Sequence, residues 1–200
     1  PVTVDDELRR VLPVLERLAE AHLPVPLSID TYKSEVARRA LALGVSMIND
    51  IWGLKQDPAL ANLAAEHKVP IVLMHNQHGT EYRDLAPDIL DSLRRSVQVA
   101  LDAGVPEENI IVDPGIGFGK TLEQNLEVMR RLSEFRALGR PLLLGTSRKS
   151  MIGRVLNLPV EDRIEGTSAT VALGIAYGAD IVRVHDVAAM VRVCRMSDAI

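Results

Sequence analysis

The chain has 200 residues, of which 47% are hydrophobic and 25% charged, and its formal net charge is −4. This composition is typical of a globular protein with a sizeable core, and the absence of a basic stripe argues against nucleic acid as the main partner. The longest apolar runs are too short to cross a bilayer and no basic-then-apolar leader opens the chain, so we expect a cytoplasmic protein with no membrane partner. The single cysteine, Cys194, cannot form an internal disulfide, and we predict a packed thiol.

The first element is predicted to be a helix, because Thr3 and Asp6 have the spacing of a capping box and apolar residues follow at helical spacing. After it, short apolar runs alternate with amphipathic segments. Strands are predicted near residues 26–30, 46–50, 71–75, 110–113, 142–147 and 181–186, and helices near residues 34–43, 58–67, 85–103, 121–138, 166–178 and 188–200. Four glycines stand where helices should end: Gly44, Gly104, Gly139 and Gly178.

This alternation indicates a parallel sheet covered by helices. The strands are apolar on both faces, as buried parallel strands are. Six strand-helix units exceed the usual number in a flavodoxin-like fold, and no dinucleotide fingerprint accompanies them. We therefore predict the α/β class and a (β/α)8 TIM barrel, represented by about six βα units after an initial helix. Against a complete barrel, residues 1–200 are expected to form a single, N-terminally incomplete domain without the first strand, first helix and second strand.

A glycine-rich segment, VDPGIGFGKT at residues 112–121, invites comparison with a phosphate-binding loop. Gly119, Lys120 and Thr121 match the end of the P-loop pattern, but Pro114 stands where its first glycine is required. Proline fixes φ and has no backbone N–H, so the segment is not predicted to cradle phosphate. What remains is Asp113, an acid at the carboxyl end of a strand.

Polar residues follow nearly every predicted strand, at the end where barrel enzymes place their active sites. Acid or amide side chains end three of the earlier strands, whereas basic side chains follow the last two. The set comprises Asp30, Asn49, Asp113, Lys149, Arg183 and His185. Acidic residues on one side and cations on the other indicate a ligand with an N–H-rich edge and an anionic tail.

The acidic side of this set has two interpretations. Asp113 could accept paired N–H donors from a guanidine-like edge, with Asp30 and Asn49 completing the recognition. Alternatively, a single strand-end Asp could cap the following helix, as the sequence after Asp30 would allow. Asp50 should face the opposite way from Asn49 by strand alternation, so we predict a structural role for it.

The basic side is equally open to alternatives. Arg183 and His185 are two apart on one predicted strand, hence on one face, and favour an anion such as phosphate; an internal salt bridge is the alternative. Lys149 lies in the segment Ser147–Ser150, which adds an ammonium group and hydroxyls to this side; a solvated basic turn is the alternative.

His75 is as consistent with a hydrogen-bonded core or loop histidine as with a ligand. No His/Cys spacing predicts a zinc site, and G-x-S-x-G is absent.

The motifs together resemble one known family. The segments SIDTYKSEVARRAL, MINDI, VLMH, IIVDPGIGFGKT, LLLGTSRKSMIG and IVRVHD resemble the dihydropteroate synthases, the pterin-binding barrels of folate synthesis, in order and spacing. The resemblance extends over almost all of the chain. It implies a transferase that joins 6-hydroxymethyl-7,8-dihydropterin pyrophosphate to p-aminobenzoate, releasing pyrophosphate and forming dihydropteroate.

The resemblance also implies roles at the pterin. Asp113 and Asn49 would hold its amino-pyrimidine edge, Asp30 the far side of the ring, and Lys149 its carbonyl and ring nitrogen. Anionic Asp30 and Asp113 would stabilise the cationic pterin methylene left when pyrophosphate departs. The implied catalytic residues are Asp30, Asp113 and Lys149.

At the other end of the substrate, the resemblance implies that Arg183 and His185 hold the pyrophosphate. Ser150 would help to seat p-aminobenzoate near Phe118, and the glycine loop would be a pocket wall that lets the flat pterin approach. Two further residues, Met74 and Gly145, are also implied to bind substrate.

The implied cofactor is Mg²⁺, a hard cation that would neutralise the pyrophosphate. The family's first-strand motif, with its metal-contacting Asn, and its G-x-E-S-[ST]-R-P-G loop have no counterpart here, so no metal ligand is expected in this chain. The family also commonly pairs through its last helices, and it is the target of sulfonamides. We therefore expect a homodimer, for which Met190, Val193 and Met196 offer an apolar stripe, although a core-facing stripe is an equal alternative.

Two rival functions stay open. A methyltetrahydrofolate-corrinoid methyltransferase would share the barrel and the pterin-site carboxylates, but its chemistry needs no cationic anion site, so the segments SRKS and RVHD favour the synthase. The other rival is a non-catalytic pterin-binding paralogue or fragment, which pyrophosphate release by the chain would exclude.

Overall fold

A computed structural model describes residues 2–200, and these form two compact units. The first unit contains the chain up to Met74 together with Arg94–Ile111, and the second contains His75–Leu93 and Val112–Ile200. In the described part of the chain, no helix combines the length and the apolar character that crossing a membrane requires. The assignment of residues 1–200 to a single domain stays a prediction.

The first unit alternates helices with parallel strands, as predicted. The opening helix is capped by Thr3, whose Oγ1 accepts a hydrogen bond from the Asp6 N–H at 3.1 Å. Strands β1, β2 and β3 pair in parallel, with Asp30 opposite Asn49 in the register. The elements are α1 (Val4–Glu20), β1 (Ser28–Asp30), α2 (Ser34–Ala42), β2 (Met47–Asp50), α3 (Ala59–His67) and β3 (Ile71–Met74).

The core of the first unit lies between these strands and their helices. Ile48 and Ile71, on neighbouring strands, are fully buried against Leu60 and Leu63 of α3. Removing such aliphatic side chains from water stabilises the fold by about 1.5–3 kcal/mol for each one. Helix α4 (Leu85–Asp102) and strand β4 (Ile110–Asp113) each run from one unit into the other along the chain, and the sheet order is β1-β2-β3-β4.

The second unit continues the alternation. Strand β5 pairs in parallel with β6 through Leu143 and Ile181, and a bridge joins Val112 of β4 to Leu142. The elements are α5 (Leu122–Arg130), β5 (Leu143–Leu144), α6 (Ser150–Leu156), α7 (Ile164–Ala176), β6 (Ile181–Val182) and α8 (Val187–Ala199), with 3-10 turns at Leu132–Leu138 and Val160–Asp162. A further 3-10 turn, Glu107–Asn109, precedes β4 in the first unit. All four predicted helix-ending glycines have positive φ.

Three predicted elements of this unit are wrong in extent. The helix predicted over residues 121–138 ends at Arg130 and continues as a 3-10 turn, which places Leu132 and Phe135 on one side because that helix has three residues per turn. The last two strands are shorter than predicted, since β5 contains only Leu143–Leu144 and β6 only Ile181–Val182. Helix α6 was not predicted, since its Gly153 weakens helix propensity.

Candidate functional site

The predicted site residues fall into two groups, one in each unit. Most of them lie at or just after a strand's carboxyl end, as expected for a parallel α/β fold. The first unit contains Asp30, Asn49 and Met74. The second contains Asp113, Phe118, Gly145, Lys149, Ser150, Arg183 and His185.

In the first unit, Asp30 and Asn49 are direct neighbours across two parallel strands. Asn49 and Met74 are buried, and Asp30 is exposed. Helix α2 does not take its cap from Asp30, because the N–H of its first residue, Ser34, donates to Asp57 Oδ2 at 2.7 Å. The alternative interpretation of Asp30 as the cap of the next helix is therefore not supported.

Asp50 has the structural role that strand alternation predicted. Its carboxylate is fully buried and accepts the Trp52 N–H at Oδ1 (2.8 Å) and the Leu54 N–H at Oδ2 (2.6 Å). Leu54 has a positive φ of 66°, so these bonds hold a tight turn after β2. Burial raises the pKa of Asp50, and the backbone N–H groups partly offset this.

Asp113 ends β4 and is also buried. Its Oδ1 accepts the Gly115 N–H at 2.7 Å, and its other oxygen accepts no hydrogen bond from residues 2–200. Burial raises the pKa of Asp113; the Gly115 N–H and the positive charges of Lys149, Lys120 and Arg183 act against this rise. The side chain is a partly satisfied buried acid among cations, which is the environment of a ligand-binding carboxylate.

The glycine loop after Asp113 requires glycine at two close contacts. Gly115 has φ +75°, and a Cβ there would lie 1.9 Å from the His75 carbonyl oxygen. Gly119 has φ +55°, and its Cβ would lie 2.7 Å from the Gln77 carbonyl oxygen. The loop is therefore packed directly against the chain that follows β3, which no other residue type allows without displacement.

Lys120 does not point outward as a P-loop lysine would. Its Nζ donates to the carbonyl oxygens of Gly115 (3.0 Å) and Phe118 (3.1 Å) and lies 3.1 Å from His75 Nδ1. Lys120 thus closes the glycine loop on itself, in agreement with the exclusion of a phosphate cradle. Tyr82 also lies near His75. Its hydroxyl donates to the Gly119 carbonyl oxygen at 2.7 Å, which is a second side-chain contact with the glycine loop.

Of the two interpretations of His75, the structure supports the hydrogen-bonded core histidine. The side chain is buried, and the backbone N–H donates to the Asp113 carbonyl oxygen at 2.9 Å. The sequence did not single out Lys120 or Tyr82 as functional residues. Each of them has a partner that is distant in the chain: Lys120 meets His75, 45 positions away, and Tyr82 meets Gly119, 37 positions away.

Lys149 is directed at the glycine loop. Its Nζ donates to the Ile116 carbonyl oxygen and lies 4.7 Å from the centroid of the Phe118 ring, in cation–π contact. Gly117 leaves the room for this side chain, because a Cβ there would lie 2.9 Å from Lys149 Cδ. The predicted residues Phe118 and Lys149 therefore lie together, and the solvated-turn alternative is not supported for Lys149.

The basic residues after the last two strands line a cavity of about 180 Å³. Arg183 and His185 are not part of the strand, which ends at Val182, although the Arg183 N–H still donates to the Leu144 carbonyl at 3.0 Å. Ser147 joins the cavity and its Oγ lies 2.9 Å from His185 Nδ1. The lining consists of Gly145, Ser147, Lys149, Arg183, Val184 and His185. Ser150, the first residue of α6, is exposed.

Next to this cavity, Arg148 pairs with Asp186. The guanidinium donates through Nε to Oδ2 (3.0 Å) and through Nη2 to Oδ1 (2.5 Å). This bidentate pair lowers the pKa of Asp186 and raises that of Arg148. The sequence predicted no role for either residue, because nothing local marks two residues that are 38 positions apart as partners.

No group of three or more His, Cys, Asp or Glu side chains within residues 2–200 is arranged to hold a metal ion. A preformed cage of protein ligands for Mg²⁺ is therefore not found in the described chain. Mg²⁺ more often keeps its waters and binds one or two carboxylates together with substrate phosphates. Cys194 is half-buried in α8.

Comparison with known proteins agrees with this geometry. The pterin binding enzyme family matches residues 1–185. A dihydropteroate synthase of Bacillus subtilis is 58% identical over 198 residues, covering 99% of this chain and 69% of the relative.

Two solved dihydropteroate synthases have closely similar structures. That of Clostridium difficile, in the presence of pteroic acid, has a TM-score of 0.96 at 51% identity and covers 100% of this chain and 76% of its own. That of Thermus thermophilus, in complex with 6HMPPP, has a TM-score of 0.92 at 41% identity, with coverage of 100% and 79%. These likenesses confirm the predicted fold class, an α/β fold of the TIM-barrel type. The chain belongs to the pterin binding enzyme family, among the dihydropteroate synthases.

Proposed function

We propose that this chain acts as a dihydropteroate synthase through the residues after its strands, condensing 6-hydroxymethyl-7,8-dihydropterin pyrophosphate with p-aminobenzoate. The observation that carries the assignment of roles is the arrangement in the second unit. A buried carboxylate with one uncommitted oxygen, Asp113, lies in the field of Lys149 and Arg183, and these two cations line one cavity together with His185.

Asp113 is the proposed acceptor for the pterin's amino-pyrimidine edge. An ionised carboxylate accepts two parallel N–H donors, and the bonds are strong where water is excluded. The Gly115 N–H fixes the orientation of the carboxylate, and Lys149, whose Nζ lies over the Phe118 ring, is the proposed donor to the pterin carbonyl and ring nitrogen. The other roles stay as the resemblance implied: Asn49 at the amino-pyrimidine edge, Asp30 on the far side of the ring, and Met74 as a further substrate-binding residue.

Arg183 and His185 are the proposed ligands of the pyrophosphate. The guanidinium can bind phosphate oxygens in a bidentate manner, and the neighbouring Lys149 adds a second positive charge to the same cavity. This arrangement favours the synthase over a corrinoid methyltransferase, whose reaction leaves no anion to bind.

In the proposed reaction, the bond between the pterin methylene carbon and the pyrophosphate oxygen breaks, and its electrons leave with pyrophosphate. Anionic Asp113 and Asp30 stabilise the positive charge that develops on the pterin. The amine nitrogen of p-aminobenzoate then attacks the methylene carbon and loses a proton. Ser150 and Phe118 are the residues proposed to seat p-aminobenzoate, a ligand seen in the Thermus thermophilus relative.

Mg²⁺ remains the proposed cofactor. When bound to the pyrophosphate oxygens it would neutralise charge on the leaving group. Because the described residues contain no cluster of metal ligands, we propose that the ion arrives with the substrate. A cytoplasmic location and inhibition by sulfonamides, which are p-aminobenzoate analogues, stay predictions as well.

A homodimer formed through the last two helices also stays a proposal. The stripe predicted on α8 is divided: Met190 is buried, Val193 is half-buried, and Met196 is 62% exposed. Between α7 and α8 lies an open groove of about 570 Å³ with mostly apolar walls. An exposed apolar surface of this kind supports a docking face between copies of the chain.

The experiment that tests the proposed function is a calorimetric titration with dihydropterin pyrophosphate and Mg²⁺, followed by a pyrophosphate-release assay after p-aminobenzoate is added. Binding and release together support the synthase. Binding without release favours the non-catalytic pterin-binding protein, and a folded chain that binds no pterin overturns the proposal.

Arg183→Ala tests the anion role within the same experiment. We expect affinity for the pyrophosphate ester to fall about 100-fold and affinity for the free pterin alcohol to change little, because only the ester carries the anion. Equal losses for the two ligands would refute the assignment of Arg183 to phosphate.

A further inference from the structure

We propose that the Arg148–Asp186 pair is a positioning clasp that holds Arg183 and His185 in register with Lys149. The clasp connects the turn before α6 to the segment between β6 and α8, and these two segments contribute the cations of the cavity. The inference rests on the proposed function, because it concerns how the same cavity binds the pyrophosphate end of the substrate.

Two consecutive contacts join the two segments. Ser147 Oγ lies 2.9 Å from His185 Nδ1 and accepts the His185 N–H at 3.1 Å. One residue further along each segment, Arg148 forms its two bonds to Asp186. A bidentate guanidinium–carboxylate pair fixes both distance and angle, whereas a single contact leaves rotation free. Both Ser147 bonds meet at one atom, Oγ, so they hold a point, and the Arg148–Asp186 pair adds the fixed angle between the segments.

The backbone of Arg148 is held as firmly as its side chain. Its φ is +57°, a left-handed value that is uncommon for a residue other than glycine. Its N–H donates to Thr167 Oγ1 at 3.2 Å, and its carbonyl oxygen accepts from Arg163 Nη1 at 2.8 Å. Ser147 and Lys149, on either side of this left-handed residue, line the cavity, and Arg148 is not among the lining residues.

The positive charges at the cavity explain why the two segments need to be held together. Lys149 and Arg183 line one small cavity with His185, and the two positive charges repel one another when no anion is bound. The charge of Arg148 is balanced by Asp186, so the clasp ties the segments together without adding net charge. Lys149 has its own contacts with Ile116 and the Phe118 ring. Loss of the clasp should therefore displace Arg183 and His185 more than Lys149.

The test compares two ligands on clasp variants. Asp186→Asn removes one charged acceptor, and Arg148→Lys keeps the charge but removes the planar fork. For both variants we expect affinity for dihydropterin pyrophosphate to fall about tenfold, with the free pterin alcohol within about twofold of the wild type. Arg148→Lys carries the test if circular dichroism shows that Asp186→Asn does not fold.

The matched control is Glu134→Gln. Glu134 accepts a similar bidentate pair from Arg131 (2.7 and 3.0 Å) in the same unit, in the 3-10 turn after α5. The Glu134→Gln control should bind the ester with wild-type affinity. If the clasp variants bind the ester with that same affinity, the clasp is refuted while the proposed function stands. Equal loss for both ligands also refutes it, because that indicates general disruption. A wild-type chain that binds neither ligand overturns both proposals.

Discussion

Asp50 and Asp113 are the same residue type at the same kind of position, yet the structure gives them different roles. Each ends a parallel strand, each is buried, and burial raises the pKa of each. Both carboxylate oxygens of Asp50 accept hydrogen bonds from backbone N–H groups of the turn that follows it. Asp113 uses one oxygen in this way, through the Gly115 N–H, and has cations around it.

The difference teaches that strand-end position alone does not define a ligand-binding carboxylate. What decides the role is how many of the carboxylate's acceptor positions the protein has already filled. A fully satisfied buried acid stabilises its own turn, and a partly satisfied one retains the capacity to bind a donor from outside. The pair therefore provides an internal control, since mutation of one should affect folding and mutation of the other should affect binding.

The largest expected effect is loss of pterin binding in Asp113→Asn. The amide has one acceptor oxygen and presents donors toward the pterin's N–H groups, so affinity should fall at least about 100-fold. Calorimetric titration with the dihydropterin pyrophosphate measures it. Asp102→Asn, at the exposed last residue of α4, is the control and should bind as the wild type does. Unchanged affinity in Asp113→Asn would mean that the second oxygen is not a ligand site.

A somewhat smaller effect is expected when the support of Asp113 is changed. Gly115→Ala places a Cβ against the His75 carbonyl oxygen at φ +75°, so the loop must shift and the N–H that orients Asp113 moves with it. We expect pterin affinity to fall about tenfold or more, together with a loss of about 3 kcal/mol in the free energy of unfolding.

Gly44→Ala is the matched control, because Gly44 also has positive φ (+91°) but open space around its Cβ position. It should cost only about 1 kcal/mol and leave pterin binding unchanged. Urea unfolding and the same titration measure both quantities. Similar losses of affinity in the two glycine variants would show that close packing at Gly115 is not what orients Asp113.

Asp50→Ala should have the opposite profile to Asp113→Asn. Removal of the carboxylate leaves the Trp52 and Leu54 N–H groups without their acceptor, which should lower the free energy of unfolding by about 3 kcal/mol. Pterin affinity of the folded protein should change less than about threefold. A loss of affinity as large as that of Asp113→Asn, in a variant shown to be folded, would contradict the structural role of Asp50.

The smallest expected effect is on the pH dependence of stability. Since burial raises the folded-state pKa of Asp113 above its ordinary value of 3.8, its contribution to stability is fully present below that value and is lost as pH rises through the folded-state pKa. Asp113→Asn does not ionise, so its Tm at pH 7 should exceed that of the wild type by about 2 °C. Thermal unfolding followed by circular dichroism measures this. A lower Tm in the variant would show that the ionised carboxylate stabilises the folded chain.

Sequence patterns predicted these two aspartates better than they predicted the basic residues. Alternation along β2 was sufficient to separate Asp50 from its neighbour Asn49, because successive strand side chains face opposite ways. The same rule placed Arg183 and His185 on one strand face, but the strand ends at Val182. Both residues line one cavity nonetheless, because the segment after the strand holds them there.

The sequence by itself determined the order of helices and strands except for α6, the helix-ending glycines, the exclusion of a phosphate-binding loop and the acid at the end of β4. These features depend on local chemistry: side-chain period, the conformational freedom of glycine, and the missing N–H of proline. Only the tertiary structure decided that Lys120 turns back onto its own loop and that Arg148 pairs with Asp186. The physical reason is that a charged side chain takes its role from partners that folding supplies, and sequence spacing does not specify those partners.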